Sequence, residues 1–308
     1  MKEEKEIRDD EIRVIGDSDE VEQHCLQPTK PNNWLLAIII VAAAIISIAV
    51  WRSVCSECKS TETEQLEPSY FEPQASSSAI AHSSANRIGR DVDSLTPGFC
   101  EIRDTIINDI PLRLFIPHNA RMSLHVGRLN QQDTTIIYAT QAADIRRDNG
   151  KIAGAFVMNG DPLAWGLSKK GFCAVIDGKV TVGVADNSPL FEEATERGGY
   201  FFRQYPLVRD GVLVENEPKN KSVRRAICDR QGEIFMVECL SKESFHDFAQ
   251  ALVDLGVGQA VYLVGSNAYG WAVDKCGKRH ESGDKNLYKD HQRLPANINY
   301  IVWRKTSK

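Results

Sequence analysis

The residues best suited to chemistry lie in the last two thirds of the chain. Arg224 heads the run Arg224-Arg-Ala-Ile-Cys228, and its planar guanidinium can hold an oxyanion through two parallel hydrogen bonds where a lysine offers only a point charge. Asn159-Gly160 follows the apolar stretch Ala153-Gly-Ala-Phe-Val-Met158. Its amide can both donate to and accept from a hydroxyl, although Asn-Gly is also a common turn dipeptide. Gly265, Ser266 and Asn267 follow the continuous apolar run Ala260-Val-Tyr-Leu-Val264, and the loop at the carboxyl end of a buried strand is a usual place for ligand contact. Asp161 and Asp210 stand in turn sequences and are ligands only second. Trp165, Tyr262, Tyr269 and Trp271 could stack on sugar rings, a role that competes with plain burial.

Metal and nucleic-acid chemistry find no footing. The seven histidines contain no pair spaced His-x-x-x-His, and Cys55-x-x-Cys58 lacks a second pair at zinc-site spacing. No metal or cofactor is assigned. A net charge of −5 spread along the chain gives no basic stripe for nucleic acid. The five cysteines from Cys100 onward are scattered, which suits small buried apolar residues.

Short apolar runs bounded by Gly, Asn, Asp and Pro must position these residues. Strands are expected at 135–138, 153–158, 172–176, 180–184, 200–203, 232–238, 260–264 and 298–303. Asp177-Gly178 should join two of them in a tight hairpin. A helix capped by Ser244, with Phe245, Phe248, Ala249, Leu252 and Leu255 on one face, ends at Gly256. A second helix is expected over 139–147. The fold class expected is α+β: a mixed β-sheet core with a few packed helices, preceded by one transmembrane helix and a disordered linker.

Domain organisation follows from composition. Residues 1–33 form a polar tail rich in Glu and Asp. Residues 34–51 are uncharged, bracketed by Trp34 and Trp51. As a helix they would cover ~27 Å, about the hydrocarbon thickness of a bilayer. The long acidic tail before them favours an uncleaved signal anchor over a cleaved signal peptide. Residues 52–96 read as a disordered Ser, Thr, Glu and Pro-rich linker, leaving 97–308 as the folded domain. The charges flanking the apolar run conflict and do not set its orientation.

Four separated segments, in order, resemble the phosphodiester glycosidase family. They are Val157-Met-Asn159-Gly160 with Pro162 and Gly166; Gln204-Tyr-Pro206 through Asp210-Gly211; Arg224 through Gly232; and Leu255-Gly256 with Ala260 through Ser266. Arg293-Leu-Pro-Ala-Asn297 is similar to the family's closing segment. The chain departs from the pattern at three places: Val264 stands where the family has an acid, Ser266 at its second glycine, and Cys228 at the glycine of the arginine run.

The resemblance implies a membrane-anchored hydrolase of a sugar 1-phosphodiester or surface glycan. Arg224 would bind phosphate, and Asn159, Gly160, Gly265, Ser266 and Asn267 would line the substrate. Glu238 or Asp161 would serve as acid or base, since glycoside cleavage uses carboxyl groups. Family members are exported, so the domain is expected in the periplasm or otherwise outside the cytoplasm, with the membrane and a glycan as partners. With Val264 in place of the acid, a catalytically inactive glycan-binding or envelope scaffold domain of the same fold is the alternative.

Overall fold

A computed structural model describes residues 87–289 and 294–306. The expected spanning helix at 34–51 and the linker up to residue 86 lie outside them. Among the described residues no helix is long and apolar enough to cross a membrane.

Alternating side chains build three sheets. The first holds β1 (Phe99–Ile107), β2 (Ile110–His118), β10 (Pro206–Arg209), β11 (Val212–Leu213), β12 (Arg225–Arg230), β13 (Glu233–Cys239) and β14 (Gln259–Leu263), in the order β1-β2-β13-β12-β14-β10-β11. The second holds β3 (Ala120–Val126), β4 (Ile136–Gln141), β15 (Gly270–Val273), β16 (Arg279–Ser282) and β17 (Asn299–Lys305), ordered β16-β15-β4-β17-β3. The third holds β5 (Ala155–Met158), β6 (Asp161–Trp165), β7 (Gly171–Ile176), β8 (Lys179–Val184) and β9 (Tyr200–Gln204), ordered β6-β5-β9-β7-β8. Three short helices complete it: α1 (Leu190–Glu196), α2 (Phe245–Asp254) and α3 (Lys285–Lys289).

Two of the expectations are corrected. The fold is mostly β, and its strand pairs are antiparallel, not a mixed sheet in an α+β domain. The run Ala260–Val264 read as a strand buried on both faces, a pattern usual for parallel sheets. Here β14 is buried because α2 and its apolar cluster lie on one side and strands β7, β8 and β9 of another sheet lie on the other. The helix expected over 139–147 is the end of β4 followed by a loop with the bridge Ile145–Ile152. The alanines there favour helix, but Ile136, Ile137 and Tyr138 carry the segment into pairing with β17 and β15.

Elsewhere the pattern and the structure agree. Asp177 and Gly178 both take positive φ in the β7–β8 turn, 51° and 78°. Ser244 caps α2 by accepting from Asp247 N at 3.0 Å, and Gly256 leaves the helix at φ 85°. The amides of Ile88 and Gly89 donate to the Glu233 carboxylate at 2.7 and 2.6 Å.

The inner faces of the three sheets share one core that includes Met122, Phe156, Phe202, Ile227, Met236, Leu263 and Ile301. Each outer face has a smaller cluster. Helix α2 covers the first sheet with Phe245, Phe248 and Leu252; tyrosines 269, 288 and 300 cover the second; Ala194 of α1 covers the third.

Candidate functional site

The period of two along β12 decides what its two arginines can do. Ile227 faces the inner core, so Arg225, two residues earlier, faces the same way. Its register partner is Glu238 on β13, beside inward Met236. The Arg225 Nε donates to Glu238 Oε2, and the guanidinium also donates to Ala268 O at 2.6 Å, Val264 O at 3.4 Å, Thr140 Oγ1 at 3.3 Å and Ser282 Oγ at 3.0 Å. Both side chains are buried. This pair ties the first sheet to the loop after β14 and to the second sheet. Glu238 is thereby an ion-pair partner inside the molecule.

Arg224 goes the other way. Its guanidinium carbon lies 4.1 Å from the centre of the Phe245 ring on α2, a favourable cation–π arrangement. Its Nε donates to Glu243 O at 3.1 Å and its Nη2 to Asn220 O. Those donors are occupied, so Arg224 offers positive charge to a neighbour rather than the two parallel bonds expected of it.

That neighbour is Asp144, in the loop that stands where a helix was expected. Asp144 is 3% exposed. Burial raises its pKa, opposed by the charge of Lys169, the side chain of Gln204 and the charge of Arg224, in that order. Its Oδ1 has no hydrogen-bond partner among the described residues, nor has Gln204 Nε2, an uncommon state for buried polar atoms. Lys169 is also buried, with its ammonium 2.9 Å from the Tyr205 ring centre. Tyr262 completes the group: burial pushes its phenol pKa up, with Arg224 and Asp144 next in effect, and its hydroxyl accepts from Gly265 N at 3.2 Å. Carboxyl, two cations, amide and phenol thus meet at one end of the sheets.

The loop after β14 belongs to this region. Gly265 packs so tightly on Val223 and Arg224 that a Cβ there would collide with the Val223 carbonyl oxygen. Ser266 takes φ 52° and donates its amide to Val223 O at 2.8 Å. Asn267 accepts from Asp284 N at 2.9 Å and lines a small cavity of about 30 Å³ with Tyr269, Tyr288 and Tyr300. Such a space has room for about two waters.

Asn159, Gly160 and Asp161 stand apart. Asn159 and Gly160 take φ 52° and 86° in the β5–β6 turn, where Gly160 N donates to Gly199 O at 2.9 Å. In the third sheet Phe156 pairs with Phe202 and Val157 with Phe201, so the turn runs toward the Tyr200 end of β9. Gln204, beside Asp144, is at the other end of that strand. Asp161 is exposed. Asp210 sits in the β10–β11 turn and accepts from Gln259 Nε2 at 2.7 Å. Among the described residues no three His, Cys, Asp or Glu side chains gather as a metal site.

The structure therefore groups Arg224, Gly265 and Ser266 with Asp144, Lys169 and Gln204, and holds Glu238 on the opposite face of the sheet. Gln204 carried a signal in the sequence, because it opens one of the four family-like segments. Asp144 and Lys169 carried none: one ends an alanine stretch and the other is half of Lys169-Lys170.

No family model matches the chain, and no curated protein matches it by sequence. Among solved structures, it resembles the catalytic domain of zebrafish N-acetylglucosamine-1-phosphodiester alpha-N-acetylglucosaminidase, auto-inhibited by its pro-peptide. The TM-score is 0.47 at 12% identity, over 68% of this chain and 83% of that one. A hypothetical protein from Synechocystis gives 0.45 at 11% identity, over 68% of this chain and 62% of that one. Both are distant likenesses of fold.

Proposed function

We propose that this chain is a membrane-anchored, phosphodiester-glycosidase-like hydrolase acting on a sugar 1-phosphodiester or surface glycan outside the cytoplasm. The observation that carries the reading is the buried carboxyl of Asp144, its pKa raised by burial against the opposing charges of Lys169 and Arg224. A carboxyl with a raised pKa is better suited to give a proton to the departing oxygen, while the two cations offset charge growing on a leaving phosphate. The four family-like segments supply the substrate class. Anchoring and export rest on the sequence, through the uncharged run 34–51 and the same resemblance.

The test is release of reducing sugar from a panel of α-sugar 1-phosphodiesters by the full-length chain in detergent. Release is expected, with Asp144→Asn slowing it by about a hundredfold. One observation favours a second reading: Glu238 is held by Arg225, and Val264 is a buried apolar residue at the family's acidic position. A domain so altered binds a glycan without cleaving it. Binding of one such diester, weakened by Lys169→Met, with no release from any of them, would establish that reading instead.

A further inference from the structure

Four aromatic residues could have met a ligand by their rings, and three are buried: Tyr262, Tyr269 and Trp271. Trp165 is 65% exposed, and it is not alone: Leu163 is 43% exposed and Leu167 68%. Leu163 and Trp165 both lie on β6, Leu163 at the bulge where its pairing with β5 shifts register, and Leu167 lies just past its end. The residue paired with Trp165 is Ala155, whose cluster is on the α1 side of the sheet. Helix α1 has seven residues and packs on β5, β7 and β9. The row on β6 lies beyond that cover, at the edge of the sheet.

We infer that Leu163, Trp165 and Leu167 dock the domain on the lipid surface of the membrane that holds the chain. The inference rests on the anchoring proposed above. Two observations select lipid as the occupant. First, a Trp flanked by leucines has the composition of membrane-interface contacts, with the indole at headgroup level and aliphatic side chains beneath. Second, the uncharged run 34–51 ends close in sequence to the described domain, which begins at Arg87. Covalent geometry alone caps the span from Trp51 to Arg87 at roughly 120 Å, so the bilayer is always within reach. A weak apolar contact then suffices, because attachment makes the second contact intramolecular. Pro162 within β6 lacks an N–H and weakens the same edge as a site for a further strand.

The experiment uses the full chain with Trp34→Phe and Trp51→Phe, reconstituted in phosphatidylcholine vesicles with or without bromine on the acyl chains near the headgroup. Trp271 and Trp303 are buried, so Trp165 is the indole on this surface that reads the lipid. Brominated lipid is expected to quench emission by at least a quarter, and Trp165→Phe is expected to abolish that quenching. Leu163→Ser with Leu167→Ser should halve it without altering the chain's flotation with vesicles. Equal quenching with and without Trp165 overturns the proposal. So does emission that changes with protein-to-lipid ratio but not with bromine, which points to a second copy on this face. A chain that fails to float with vesicles overturns the anchoring as well; one that floats unquenched overturns the docking alone.

Discussion

Arg224 and Arg225, adjacent in the chain, face opposite sides of the seven-stranded sheet: one stacks on Phe245 of α2 and the other pairs with Glu238 above the shared core. The pleat forces this separation. It divides labour between the two, since Arg225 joins sheets and Arg224 charges the surroundings of Asp144.

Removing one member of the buried pair should therefore be costly in stability. Glu238→Gln leaves the Arg225 charge buried without its carboxylate, at a cost of about 3 kcal/mol. Arg225→Met should cost as much, and the double variant less than the two added. Urea unfolding of the four chains measures the coupling, and strict additivity would contradict the role given to the pair.

Much of the fold was legible because period-two runs and turn dipeptides are local. Asp177-Gly178, Ser244 with Gly256, and the strands around them stand where the pattern put them. Fold class was not legible, because a doubly buried strand looks alike in parallel and antiparallel sheets; what buries β14 is a second sheet distant in sequence. The candidate site was half legible for the same reason. Arg224, Gly265 and Gln204 lie in recognisable segments, whereas Asp144 owes its character first to burial, and the charges of Lys169 and Arg224 that oppose the rise in its pKa come from 25 and 80 residues away along the chain.

Asp144 should make stability depend on pH in a definite direction. Its native pKa is raised, so the stability conferred by the neutral form is complete below the ordinary aspartate value of about 3.9 and is lost as pH rises through the native value. Asp144→Asn escapes that loss. The variant should be more stable than the native chain at pH 7, with the gap closing below about pH 4. Thermal unfolding across pH checks this; a native chain that gains over the variant as pH rises would refute it.

The Val223–Gly265 contact predicts opposite results at neighbouring positions. Gly265→Ala forces a Cβ into the Val223 carbonyl oxygen and should cost about 3 kcal/mol or more. Ser266→Gly relieves a positive φ of 52° and should be neutral or stabilising by up to about 1 kcal/mol. The two melting temperatures, compared with the native chain, decide it.

Thiol reactivity should single out one of the described cysteines. Burial pushes Cys100, Cys173 and Cys228 up, and Cys239 up to about 11, whereas Cys276 is exposed. Since the thiolate is the nucleophile, iodoacetamide at pH 8 should label Cys276 in the folded chain and reach the other four only after unfolding. Peptide mass spectrometry reads the pattern directly.

Val264→Asp restores the carboxyl of the family pattern and tests whether this chain needs it. Val264 is buried, with its carbonyl facing Arg225 Nη1 at 3.4 Å, so the new charge should cost about 2 kcal/mol or more. If Asp144 already carries the proton, hydrolysis of a sugar 1-phosphodiester should change less than about threefold, within the scatter of a small geometric shift. Asp144→Asn should stay slow whether or not Val264→Asp is added. A tenfold gain from Val264→Asp alone would move the proton-bearing role from Asp144 to the end of β14, and would make the native chain the binding domain of the second reading.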